Sequence, residues 1–170
     1  LVSAKDLTDL NALRLWERSG KMKLLVPSAL EVEPKDPLSF VDELVELRRG
    51  QKGGRFRIVA VKMFMDGVLE GGTAYLEEPY LHLGGSRGIL NWEPGVYNQM
   101  CTAVDRAGFQ IHVHSIGDAA TRVTLDGFAA ARAQNGKRDA RHSITHLQLV
   151  NARDLDRFAS LDALAIVQPY

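Results

Sequence analysis

With a single cysteine, Cys101, among 170 residues, the chain has no partner for an intrachain disulfide. A stapled secreted scaffold is therefore not suggested. Cys101 falls inside a helical pattern, where it reads as a small apolar residue rather than a reactive thiol. An excess of charge of either sign is also missing, since 21 basic residues balance 21 acidic ones. That balance leaves no electrostatic footprint for nucleic acid or for an anionic membrane surface. No apolar run approaches the roughly 20 residues needed to span a bilayer. Gly-x-Ser-x-Gly elbows, Walker loops and Gly-x-Gly-x-x-Gly fingerprints are absent too, which argues against serine-hydrolase and nucleotide-binding chemistry. One basic cluster, Arg48, Arg49, Lys52, Arg55 and Arg57, sits in a Gly-rich turn and reads as a solvated turn.

What the chain does have is regular alternation. Residues 1–20 read as an amphipathic helix, not a signal peptide, with Ser3 as N-cap, an apolar stripe of Leu7, Leu10, Leu13 and Trp16, and Gly20 as the stop. Met22–Val32 is short, apolar and strand-like. Pro37–Arg49 returns to helical spacing through Phe40, Val41, Leu44, Val45 and Leu47. Arg57–Phe64 is rich in β-branched residues and reads as a second strand. Alternation resumes with a helix at Glu93–Ala107, a strand at Phe109–His114 and a long Ala-rich helix at Asp118–Gln134. A strand at Arg141–Leu147, a helix at Ala152–Leu161 and a strand at Ala163–Gln168 follow.

This order gives an α/β domain over residues 1–170, with about five parallel strands built from βαβ units. Right-handed crossovers permit either a doubly wound sheet or a partial (β/α)8 barrel of the TIM type. The chain lacks an initiator Met and stops at Pro169 and Tyr170, directly after an apolar strand. Both ends look cut, and a longer parent protein is expected. Open sheet edges left in this way are expected to favour self-association.

Residues 66–92 break every period. They hold six glycines, with Tyr75, Pro79 and Tyr80 between them. Long loops inside a compact domain are functional or disordered more often than not. The Thr and Tyr content favours an ordered, substrate-facing loop.

Three residues then stand out by position. Lys62 lies near the end of the second strand, His114 at the end of the third and His146 near the end of the fourth. In a parallel sheet all three belong to the carboxyl edge, where barrel active sites lie. Neutral imidazole is a common ligand for zinc and similar divalent ions, and a buried lysine lowers its pKa readily. His112, two residues before His114, shares its face and is expected to be packed or hydrogen-bonded one layer below it. Asp118 opens the next helix, as an N-cap or as a carboxylate that orients a ligand histidine. His142 lies at the opposite end of its strand and reads as structural, while His82 sits in the loop. The competing reading is a non-catalytic α/β ligand-binding or regulatory domain, in which these histidines carry no metal.

Three blocks carry a resemblance: VKMFMDGVLEGGTAYLEEPY, FQIHVHSIGDAA, and RHSITHLQLVNARDLDRFASL with its following ALAIVQP. In order and spacing they resemble amidohydrolase family 3, which includes N-substituted formamide deformylase-like enzymes. The resemblance covers roughly residues 57–170. It implies a barrel that hydrolyses amide-like C–N bonds of small molecules with one or two divalent metals, zinc expected. It also implies metal and catalytic roles for Lys62, possibly carboxylated, and for His114 and His146. Asp66, Gly67, Thr73 and Tyr75 would line the substrate side. The family's first His-x-His pair has no counterpart before residue 57, and its last-strand aspartate would fall beyond Tyr170. Thr145 stands where similar sequences tend to carry an acidic residue.

Overall fold

The computed structural model describes residues 2–4, 7–51 and 54–168. Six strands form one sheet: β1 (Val2–Ala4), β2 (Val26–Glu31), β3 (Phe56–Phe64), β4 (Gln110–Ser115), β5 (Ser143–His146) and β6 (Leu164–Val167). Helices α1 (Leu7–Arg18), α2 (Phe40–Arg49), α3 (Pro94–Arg106), α4 (Asp118–Asn135) and α5 (Leu155–Ser160) fill the connections. A short 3-10 turn, Ala152–Asp154, leads into α5.

The opening of the chain needs correction. Its first residues form a strand, β1, before α1 begins, so Ser3 is a strand residue and not a helix N-cap. β1 thus adds a short strand to the five expected. Three residues are too few to show alternation, and the sequence around them suits a helix equally well. Lys52, Pro169 and Tyr170 lie outside the described residues.

Strand order decides what periodicity leaves open. The sheet runs β1-β2-β3-β4-β5-β6, and each neighbouring pair is parallel. A doubly wound sheet reverses its order at a switch point, which places helices on both faces. An order without reversal keeps right-handed crossovers on one face, as in a barrel wall.

Burial follows that geometry. The helix-facing side of the sheet carries Leu30, Val61, Met63, Ile111, Val113 and Ile144, all buried. Tyr97, Met100 and Val104 of α3 and Leu125, Phe128 and Ala131 of α4 complete the same core. Its ends are fixed locally: Glu93 caps α3 by accepting the Val96 N–H at 2.7 Å, with Pro94 at the first helical position. Cys101 is buried here, and burial pushes its thiol up to about 12, so it stays a protonated core residue.

The opposite side of the sheet is the one a barrel turns inward. Here Phe64, Leu164 and Ile166 are exposed. Of the basic turn residues, Arg48 lies over the Phe109 ring at 3.9 Å and donates to the Ala107 carbonyl, so it ties α2 to the end of α3. Arg55 and Arg57 donate to the carbonyls of Lys23 and Gly54.

The two faces should respond differently to truncation. Ile111→Ala removes a fully buried side chain and should cost about 2–5 kcal/mol. Ile166→Ala, on the open face, should cost less than about 1 kcal/mol. Urea unfolding of both variants measures the difference, and equal losses would mean that the core is misassigned.

Candidate active site at the carboxyl edge of the sheet

Register brings the expected residues together. Lys62 pairs with His112 and Phe64 with His114 across β3 and β4. His112 pairs with Ser143, and His114 with Thr145, across β4 and β5. Side chains alternate along a strand, so all six share the face turned away from the helices.

His146 is different. Its register partner is Ser115, which points to the helices and bonds Thr121 of α4 at 3.1 Å. By alternation alone His146 would follow it. Instead the residue takes φ 82°, and Leu147 after it takes φ 49°. Left-handed backbone at a non-glycine residue is uncommon and strained. The turn brings the His146 ring to 4.6 Å from the His114 ring, centroid to centroid.

The hydrogen bonds assign the proton on each ring. His114 Nε2 lies 2.9 Å from the Gly67 carbonyl oxygen. A carbonyl can only accept, so Nε2 carries the hydrogen and Nδ1 keeps the lone pair. His146 Nδ1 lies 2.7 Å from Gln168 Oε1. With the amide oxygen facing it, Nδ1 carries the hydrogen and Nε2 keeps the lone pair. Metal-bound histidines show this arrangement, one nitrogen donating to an oxygen while the other binds.

Burial sets the charge state. The His114 imidazole is held below its usual range by desolvation and by the nearby His146 and Lys62, against the Gly67 bond. It is therefore neutral near pH 7, and the 3.7 Å approach of Asp66 Oδ1 to its Nε2 is not an ion pair. His112 is pushed down to about 4 by burial, reinforced by Lys62. Its Nδ1 lies 2.8 Å from Ser143 Oγ, one layer below His114. Lys62 is only 7% exposed, and burial lowers its ammonium to about 8, with Glu31 of β2 resisting. Its Nζ lies 4.7 Å from the Phe64 ring centre.

The loop after β3 is ordered onto this edge by backbone bonds. Asp66 is buried, and its Oδ1 accepts the Ile116 N–H at 3.0 Å. Its Oδ2 accepts the N–H of Gly117 at 2.8 Å and of Tyr75 at 2.9 Å. Burial pushes this carboxyl up, while the three N–H bonds and His146 pull it down. Both oxygens of Asp66, a residue expected on the substrate side, are thus engaged by the chain's own backbone. Thr73 Oγ1 accepts the Val68 N–H at 2.9 Å and closes the same turn. Tyr75 contributes its backbone, donating to Asp66 and accepting the Ala120 N–H at 3.2 Å. Gly67 is required here, because a Cβ would stand 2.1 Å from Thr73 Oγ1. At Gly117 a Cβ would stand 2.0 Å from the Tyr75 carbonyl oxygen.

Asp118 is not an N-cap, since Gly117 holds that position. Its Oδ1 accepts the Glu77 N–H at 2.9 Å and clamps the loop to α4. Glu77 in turn reaches Arg122 and Arg153, and Arg122 continues to Asp154. His82 is exposed beside Tyr80. His142 lies away from this edge, with Nδ1 accepting the Ile111 N–H at 3.0 Å and Nε2 3.1 Å from Asp105 Oδ1. Gln168, Glu77 and Asn91 do not stand out in the sequence. The only signal for Gln168 is a polar amide closing the apolar strand ALAIVQ.

The donor set fits part of a metal centre. His114 Nδ1 and His146 Nε2 are the ring nitrogens not tied to an oxygen, on adjacent rings, and Lys62 is an amine of lowered pKa on the same face. Among the described residues no three His, Cys, Asp or Glu side chains lie close enough to hold an ion together. Catalytic zinc uses three protein ligands, so these two imidazoles need a third donor.

An unreversed parallel sheet with its helices on one face defines a barrel-type α/β domain, here with imidazoles at the carboxyl edge. A metal-dependent hydrolase from Pyrococcus furiosus, described as uncharacterized, superposes with a TM-score of 0.80 at 32% identity. A similarly described hydrolase from Pyrococcus horikoshii gives 0.81 at 29% identity. Each match covers 99% of this chain, and 33% and 32% of the respective structures. The chain belongs to the amidohydrolase family, whose sequence profile matches residues 8–170. It is also 35% identical to the Protein LONG AFTER FAR-RED 3 of Arabidopsis thaliana, over 99% of its own length and 28% of that protein's. The chain thus spans about a third or less of the length of these relatives.

His142 contributes to the pH dependence of stability, as does His112, which burial holds at a similar value. Burial holds the His142 imidazole down at about 4, with Asp105 opposing. An unfolded histidine titrates near pH 6.5. The stabilisation is therefore complete above about pH 6.5 and is lost as pH falls from there toward about 4. The urea midpoint should drop across that window. In His142→Asn it should start lower and fall less steeply; an unchanged slope would remove His142 from the explanation.

Proposed function

We propose that this chain supplies part of the active site of a metal-dependent hydrolase acting on amide-like C–N bonds of small molecules. The observation that carries the reading is the pair of opposite tautomers: His114 and His146, in contact, each have one nitrogen tied to an oxygen and the other left with its lone pair. Those two nitrogens would hold a divalent ion, zinc being proposed, with one or two ions in the whole protein. When bound, such an ion lowers the pKa of a water and polarises a carbonyl.

The chain's own residues have separate roles. Gly67 and Gln168 hold the two rings in their tautomers. Lys62, with its pKa near 8, has a neutral fraction at physiological pH that can add to carbon dioxide, losing a proton to give a carbamate. The carbamate would be the third donor, binding through oxygen. Phe64 beside Lys62 and His114 keeps this part of the face apolar and limits water around the amine. Thr73, Tyr75 and Gly67 shape the rim where the substrate would enter.

A second reading, a ligand-binding domain without metal, is favoured by one observation: no three-ligand cluster of His, Cys, Asp or Glu exists among the described residues. Metal loading separates the two. After zinc loading and desalting, elemental analysis should find stoichiometric metal in the wild type and a loss of most of it in the His114→Ala/His146→Ala double variant. Equal metal in both proteins, or none in either, would favour the second reading.

A further inference from the structure

Asp66 has both carboxylate oxygens on backbone N–H groups, and through them it joins the segments that meet at His114. Its Oδ1 and Oδ2 take the N–H groups of Ile116 and Gly117, just past His114 on the chain. Oδ2 also takes the N–H of Tyr75 from the far side of the loop. The residue after Asp66 is Gly67, whose carbonyl faces His114 Nε2. Further bonds fix the same turn: His114 O accepts the Met65 N–H at 2.9 Å, and Asn91 Nδ2 donates to the Phe64 carbonyl at 3.2 Å. The Gly67 carbonyl therefore has its direction set by a buried carboxylate one residue away.

We propose that Asp66 is a positioning residue that selects the tautomer of His114: by pinning the β3 loop to the β4–α4 turn, it aims the Gly67 carbonyl at Nε2 and leaves the lone pair on Nδ1. A free imidazole in water exchanges between both tautomers. Only the Nδ1 lone pair is available while Nε2–H is donated to Gly67. The inference rests on the proposed function only in regarding His114 as a ligand, because the tautomer can be read with no metal present.

The test is long-range proton–nitrogen NMR on the metal-free 170-residue chain with labelled histidine, near pH 8, where His114 is neutral. The wild type should show His114 protonated at Nε2 alone. Asp66→Asn keeps the shape but places an amide against one of the three N–H groups, and should give a mixture of both tautomers. Asp118→Ala, which removes the acceptor of the Glu77 N–H and loosens that end of the loop, should leave His114 unchanged; this separates positioning from general loosening. A wild-type His114 protonated at Nδ1, or a folded Asp66→Asn with an unaltered tautomer, would overturn the proposal. Should Asp66→Asn fail to fold, Asn91→Ala loosens the same turn more gently and should also mix the tautomers; no mixing there would count equally against it. Zinc stoichiometry is a separate result, so loss of the hydrolase reading would not be confused with loss of this one.

Discussion

Three backbone N–H groups, two of them 50 and 51 residues from Asp66 in sequence, end on one buried carboxylate. An unpaired buried donor costs about 1–3 kcal/mol. A side chain that satisfies three of them at once therefore decides where both segments lie. At Asp66 the long loop, the β4–α4 turn and the carboxyl edge of the sheet are held as one unit. The glycine at 117 follows from this, because the segments are drawn so close that a Cβ there meets the Tyr75 carbonyl oxygen, while Gly67 makes room for Thr73 within its own loop. The arrangement of His114 is a consequence of the same contact.

Most of the scaffold is legible in residue patterns. Strands β2 to β6 and helices α2 to α4 lie where β-branched runs and apolar stripes put them. The choice between barrel wall and doubly wound sheet is not legible, because strand order is a property of distant pairing. The opening strand escapes a sequence reading since three residues carry no period. The end of α4 runs one residue past the helical pattern, and α5 is shortened by the 3-10 turn capped through Asn151.

The site divides in the same way. Placement of Lys62, His112 and His114 on one face follows directly from position and parallel pairing. The inward turn of His146 does not, since it depends on a positive φ that no residue type in THLQ announces. Asp66 belongs to the expected segment, and its bonds to three backbone N–H groups are not legible, because an Asp-Gly pair after a strand suits a turn acceptor as well as a substrate contact. Gln168 gives no sequence signal as a partner for His146, which lies one whole βα unit away. The face carrying Phe64, Leu164 and Ile166 is exposed. With the chain matching about a third or less of its relatives' length, this strand edge and its two imidazoles are the portion of the proposed catalytic architecture that the sequence contributes.

A metal at this edge requires that the two rings present His114 Nδ1 and His146 Nε2 as one pair. A crystal of the chain soaked with zinc, measured on both sides of the zinc absorption edge, tests it most directly. Anomalous density should be bonded to those two nitrogens, with Gly67 still on His114 Nε2. Density on His114 Nε2, or on His82 with none at His146, would contradict it.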